Sequence, residues 1–65
     1  MNLYTVSVKH FIPRGRADGR FVGTFTVLAT APELAAETAE RDAAMKEGGD
    51  LRNLYQYFAF KVRPA

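Results

Sequence analysis

Few residues in this sequence have the types and spacing that catalysis requires. The only histidine, His10, has the chemistry of a general base, and Asp42 interrupts the apolar side of a predicted helix. The chain has no cysteine and no G-x-S-x-G nucleophile motif. Glu33, Glu37 and Glu40 have the spacing of solvent-exposed helix charges. We therefore expect no enzyme activity. The alternative is an oligomeric enzyme with a site between subunits around His10 and Asp42.

Metal and nucleotide sites also lack their sequence signatures. One histidine without cysteine cannot supply the ligand set of a structural zinc site. Gly15 and Gly19 flank arginines, but the lysine and the serine or threonine of a phosphate-binding P-loop are missing. We expect no metal, no cofactor and no small-molecule substrate.

The arginines suggest a different kind of chemistry, which is the binding of anionic groups. The net charge is only +2, but the acidic residues concentrate in one predicted helix and the remainder of the chain is basic. Arg14, Arg16 and Arg20 lie in residues 13–20, which also contain a proline and two glycines. This composition predicts a basic hairpin with Asp18-Gly19 at its tight point. The hairpin either contacts the phosphates of a nucleic acid or an acidic protein, or is a solvated surface loop without a partner.

These residues must be positioned by a small α+β domain. Alternating apolar and polar residues predict strands at about 3–12, 20–29 and 54–63. An alanine-rich segment at about 31–47 predicts a helix, which Thr30 caps together with Glu33 and which Gly48 and Gly49 terminate. The whole chain, 1–65, then forms one ββαβ domain. We favour sheet order 2-1-3, all antiparallel, over a third strand that lies parallel beside the second.

The alternation also predicts which residues lie on each face of the sheet. Large apolar residues are expected to form a core under the helix, whose own apolar side includes Leu34 and Met45. The core residues of the sheet would be Tyr4, Val6, Val8, Phe21, Phe25, Val27, Ala29, Phe58, Phe60 and Val62. The opposite face would carry Leu3, Thr5, Ser7, Lys9, Phe11, Val22, Thr24, Thr26, Leu28, Tyr55, Tyr57, Lys61 and Arg63.

The opposite face leads to the functional hypothesis. We expect a small binding protein, an adaptor or inhibitor of the size that phages and mobile elements encode, which contacts a protein partner or a second copy of itself. The alternative is a nucleic-acid-binding protein that uses arginines for phosphates and tyrosines for stacking. The binding residues in both cases are Arg14, Arg16, Arg20, Tyr55, Tyr57, Lys61 and Arg63.

The N-terminal residues lack the basic start and continuous apolar run of a signal peptide, and no segment has the roughly 20 apolar residues of a membrane span. These features predict a cytoplasmic protein that does not enter a membrane.

Overall fold

The computed structural model describes residues 1–11, 19–48 and 56–65 of the chain. In these residues the element order is strand, strand, helix, strand. We label the elements β1 (Asn2–His10), β2 (Arg20–Ala29), α1 (Pro32–Lys46) and β3 (Tyr57–Pro64). The predicted ββαβ α+β fold is confirmed. Most of the predicted hairpin and the predicted start of the third strand lie outside the described residues.

The three strands form an antiparallel sheet with β1 in the centre. The strand order is β2-β1-β3, and both edge strands run antiparallel to β1. The predicted order 2-1-3 is therefore confirmed. Its physical basis is the connection through α1, which lets the chain cross one face of the sheet and return on the far side of β1.

The N-terminus of α1 differs from the sequence prediction by one residue. The N-cap is Ala31, which has an extended backbone (φ −149°, ψ 153°) and makes no side-chain capping hydrogen bond. Pro32 explains this position, because a proline disfavours helical geometry in the residue before it. The predicted Thr30 cap is therefore wrong. The other end is as expected, since Glu47 is the C-cap and Gly48 follows with a positive φ of 147°.

The core lies between α1 and one face of the sheet, and it is thin. The helix contributes only alanines, Ala35, Ala39, Ala43 and Ala44, all buried. Val6 and Val8 are the largest fully buried side chains among the described residues. Small side chains let a helix lie close to a sheet, so long side chains have no room between them. Leu34 and Met45, predicted in the core, are instead exposed.

Among the described residues, no helix combines the length and the apolar character needed to cross a membrane.

Candidate binding face of the sheet

The face of the sheet opposite α1 has no covering element among the described residues, and we call it the open face. The strand register places its side chains in rows across β2, β1 and β3. From one end to the other, these rows are Leu28–Leu3, Thr26–Thr5–Arg63, Thr24–Ser7–Lys61 and Phe21–Lys9–Phe58. The predicted positions of Leu3, Thr5, Ser7, Lys9, Thr24, Thr26, Leu28, Lys61 and Arg63 are confirmed.

Two β-bulges change the last of these rows. On β2, Val8 pairs with Gly23 and Lys9 pairs with Phe21, so Val22 is the extra residue. On β3, Ser7 pairs with Lys61 and Val8 with Ala59, so the extra residue is Phe60. A bulge puts one more residue on one strand than on its partner, and the alternation of side chains changes phase there. Both bulges lie beside Val8 of β1, and the alternation of side chains in both edge strands changes there.

The phase changes overturn part of the predicted face assignment. Phe21, Phe58 and Phe60, predicted in the core, are exposed by 55%, 52% and 41%. Tyr57, predicted on the open face, is buried on the helix side, and Val22 packs against the core instead of facing solvent. The open face therefore presents phenylalanines where the sequence predicted a tyrosine.

Tyr57 occupies an enclosed environment with His10. The two rings stack with centroids 4.5 Å apart and planes inclined by 6°. The His10 Nε2 atom lies 3.0 Å from the Gln56 side-chain oxygen, within hydrogen-bonding distance. Burial and the nearby carboxylate of Glu47 raise the pKa of Tyr57, whereas Arg20 lowers it. His10 thus packs against an aromatic ring, and its described contacts do not include Asp42, which is exposed on α1.

The aromatic end of the open face is an organised cluster around Lys9. The Lys9 ammonium lies 4.6 Å from the centroid of the Phe60 ring, a cation–π geometry. Phe21 meets Phe60 edge to face at 6.3 Å, and Phe11 meets Phe58 in the same way at 6.1 Å. A lysine from the central strand is therefore surrounded by rings from both edge strands. We call these five residues the aromatic cluster.

The two ends of the open face differ in chemistry. Between them, the middle rows carry hydroxyls and cations, and the Ser7 and Thr24 hydroxyl oxygens lie 3.4 Å apart. At the other end, Leu3 and Leu28 face each other and are half exposed. Beside Leu28, at the junction of β2 and α1, lies an open cleft of about 330 Å³ that Met1, Leu34 and Arg41 also line.

Charge is sharply separated between the two sides of the sheet. Asp18 and Asp50 lie outside the described residues, and every other acidic residue of the chain belongs to α1 or its C-cap: Glu33, Glu37, Glu40, Asp42 and Glu47. The open face carries Lys9, Lys61 and Arg63 and, among the described residues, no carboxylate. The described residues of the open face therefore carry a net positive charge.

The predicted binding residues fall into four groups. Lys61 and Arg63 lie on the open face as predicted. Arg20 begins β2 and forms an ion pair with Glu47, which links the start of β2 to the C-cap of α1. Tyr57 is buried, while Arg14, Arg16 and Tyr55 lie outside the described residues. Sequence reasoning missed Phe21, Phe58 and Phe60, because alternation alone does not reveal a bulge.

The described residues contain no cluster of three or more histidine, aspartate or glutamate side chains arranged to hold a metal ion.

Comparison with known proteins gives no match to a protein-family model, a curated protein or a solved structure. The functional argument therefore depends on the geometry of the open face.

Proposed function

We propose that this chain is a non-catalytic binding protein whose open face binds single-stranded nucleic acid. One observation carries the proposal: Phe21, Phe58 and Phe60 are exposed on the same face as Lys9, Lys61 and Arg63. Proteins that bind single strands without strong sequence preference combine aromatic rings, on which bases stack, with cations that follow the phosphates. The threonine and serine hydroxyls of the middle rows add hydrogen-bonding groups for phosphate or sugar.

The arrangement also supports a choice between the two partners that the sequence left open. Burial of Tyr57 removes the predicted tyrosine from the open face, and the bulges place phenylalanine rings there instead. Base stacking uses the face of a ring and needs no hydroxyl group. The acidic helix lies on the opposite side of the sheet, where it would orient the approaching molecule with its cations towards a polyanion.

A protein partner remains the second candidate because of one specific feature. The half-exposed Leu3–Leu28 pair is apolar, and the adjoining cleft is lined by both apolar and polar side chains, including Glu37 and Arg41. An exposed apolar pair is more typical of a protein contact than of a nucleic-acid contact. If this chain is an adaptor or inhibitor, it would use this end of the open face together with Arg63. Its partner would then present apolar and acidic side chains to these residues.

The test is fluorescence anisotropy with labelled single-stranded RNA, single-stranded DNA and duplex DNA, at about 50 and 200 mM salt. We expect the single strands to bind more tightly than the duplex and the affinity to fall as salt rises. Phe58→Leu distinguishes stacking from general apolar contact, because leucine keeps the apolar volume but loses the ring. It should weaken single-strand binding about 5-fold to 150-fold, the equivalent of about 1 to 3 kcal/mol per stacked base.

Two control variants complete the design. Leu3→Ala lies on the same face but outside the aromatic cluster, and Arg41→Ser removes a cation from the helix side. Both should leave the affinity for single strands nearly unchanged. Absence of single-strand binding at low salt would overturn the proposal. A loss on Leu3→Ala equal to that on Phe58→Leu would show that binding does not depend specifically on the aromatic cluster, and it would overturn the proposed stacking site.

A further inference from the structure

The two edges of the sheet differ in how well they are protected against pairing. The β3 edge carries Lys61, Arg63 and Pro64 together with the bulge at Phe60. Charges, proline and bulges are the devices by which natural proteins keep edge strands from pairing with other chains. On β2, the bulge lies near the N-terminal end at Val22, and the stretch from Gly23 to Ala29 has no charged residue and no proline. One edge is protected and the other is not.

The unprotected edge also has free pairing capacity. Alternate residues of an edge strand direct their backbone N–H and C=O groups away from the sheet. Among the described residues, β2 pairs with β1 alone, and no other backbone hydrogen bond reaches it. The helix packs over the face of the sheet, where the Lys46 ammonium lies 5.8 Å from the Phe25 ring centroid. Within residues 1–11, 19–48 and 56–65, the outer edge of β2 is therefore unpaired and can accept another strand.

The distribution of charged residues indicates which strand can pair with the outer edge of β2. A second copy cannot stack on the open face easily, because both surfaces would carry Lys9, Lys61 and Arg63 without opposing carboxylates. The uncharged stretch from Gly23 to Ala29 brings no like charges together when it pairs with itself. A two-fold axis makes such a contact self-complementary and closed, as in most homodimers.

We propose that the chain forms a homodimer in which β2 pairs antiparallel with β2 of a second copy. The product is a continuous six-stranded sheet with the order β3-β1-β2-β2-β1-β3. An antiparallel two-fold pairing keeps both helices on one side of this sheet and both open faces on the other. The additional backbone hydrogen bonds and buried surface offset the thin core of each chain. This dimer differs from the face-to-face association that the sequence suggested, and it does not depend on the proposed nucleic-acid binding.

The first experiment is sedimentation equilibrium of the purified chain and of charge variants without nucleic acid. The wild-type protein should have twice the 7.2 kDa chain mass. The double variant Thr24→Lys, Thr26→Lys places like charges opposite each other on paired β2 strands and should be monomeric. The control Leu34→Lys, Met45→Lys adds the same charge at exposed positions of α1, and it should remain dimeric. A monomeric wild type, or equal dissociation of the control, would overturn the proposal.

Two further measurements remain decisive if the lysine variant folds poorly. Mixing it with Thr24→Glu, Thr26→Glu should give a one-to-one heterodimer, and persistence of separate monomers would count against β2 pairing. Because the chain has no cysteine, a disulfide can form only between introduced cysteines, and it shows that these two positions lie next to each other in the dimer. If the two-fold axis passes at Thr24, Thr26 or Leu28, the cysteine variant at that position should form disulfide-linked dimers readily. If it passes at Phe25 or Val27, an equimolar mixture of Thr24→Cys with Thr26→Cys, or of Thr26→Cys with Leu28→Cys, should do so. Equal linking by Ser7→Cys, or no linking by the β2 thiols alone or mixed, would also overturn the proposal.

Discussion

The Glu40 carboxylate on α1 accepts a hydrogen bond from the backbone amide of Ala59 on β3, with a nitrogen–oxygen distance of 2.8 Å. Ala59 immediately precedes the extra residue Phe60, so this contact fixes β3 at its bulge. One acidic side chain of the helix thus helps to place two phenylalanines on the opposite face of the sheet. Core packing and the geometry of the candidate site are linked at this point.

Glu40→Ala should destabilise the fold and weaken single-strand binding together. Loss of the acceptor leaves a partly buried amide unpaired, at a cost of about 1 to 3 kcal/mol in unfolding free energy. Urea unfolding and anisotropy measure the two effects. Glu37→Ala, an exposed carboxylate one turn away, is the matched control and should change neither. Unchanged binding in a destabilised Glu40→Ala protein would show that the bulge is held without this contact.

Stability should fall in alkaline solution through Tyr57. Because the folded state raises the pKa of this hydroxyl above its ordinary value of about 10, the folded protein holds the proton more tightly than the unfolded chain. The corresponding stability is fully present below pH 10 and is lost as pH rises through the folded pKa. Urea midpoints of wild type and Tyr57→Phe at pH 8 and above pH 10 test this. The decrease should be smaller in the variant, and identical decreases would refute the assignment.

The close contact between helix and sheet predicts opposite sensitivities at two helix positions. Ala39 is fully buried, so Ala39→Leu inserts volume where none is free and should cost about 1 to 3 kcal/mol. Leu34 is half exposed, so Leu34→Ala should change the unfolding free energy by only about 0.5 kcal/mol. Thermal and urea unfolding compare the two variants. A larger loss for Leu34→Ala would mean that the long side chains of the helix are needed for the core.

Gly19 should tolerate no side chain. Its φ is +43°, and a β-carbon there would lie 3.0 Å from the Phe11 ring. Gly19→Ala should therefore cost about 1 to 2 kcal/mol from the left-handed backbone alone, and it should displace Phe11 from Phe58. Gly23→Ala is the control, since a β-carbon at Gly23 makes only ordinary contacts, the nearest at 3.7 Å. Aromatic proton shifts in NMR spectra follow the ring. Equal stability of the two variants would contradict the prediction.

The sequence predicts the elements and their order because these follow from local patterns. Prediction from the sequence fails where the steric effect of a neighbouring residue or an irregularity in a strand outweighs the local pattern. Thr30 is a favourable cap, but the steric demand of Pro32 on Ala31 decides where α1 begins. Strict alternation assigns the correct sheet face to Phe25 and Val62, which follow the bulges in the chain. It assigns the wrong face to Phe21 and Tyr57, which precede the bulges. Gly23 within β2 is a sequence cue for a bulge, but it gives neither the exact position nor the resulting face, and β3 has no glycine. The exposed phenylalanines therefore required the structure.

The two bulges accommodate one extra residue in each edge strand without changing which residues lie opposite Lys9. Deletion of Val22 would leave Gly23 opposite Val8 and Phe21 opposite Lys9, so strict alternation in a shorter β2 keeps Phe21 on the open face. Deletion of Phe60 would keep Phe58 opposite Lys9 in the same way, but it would remove the ring that contacts the Lys9 ammonium. In related chains, loss of the residue at position 22 should therefore preserve the aromatic surface, whereas loss of the residue at position 60 should remove its cation–π contact.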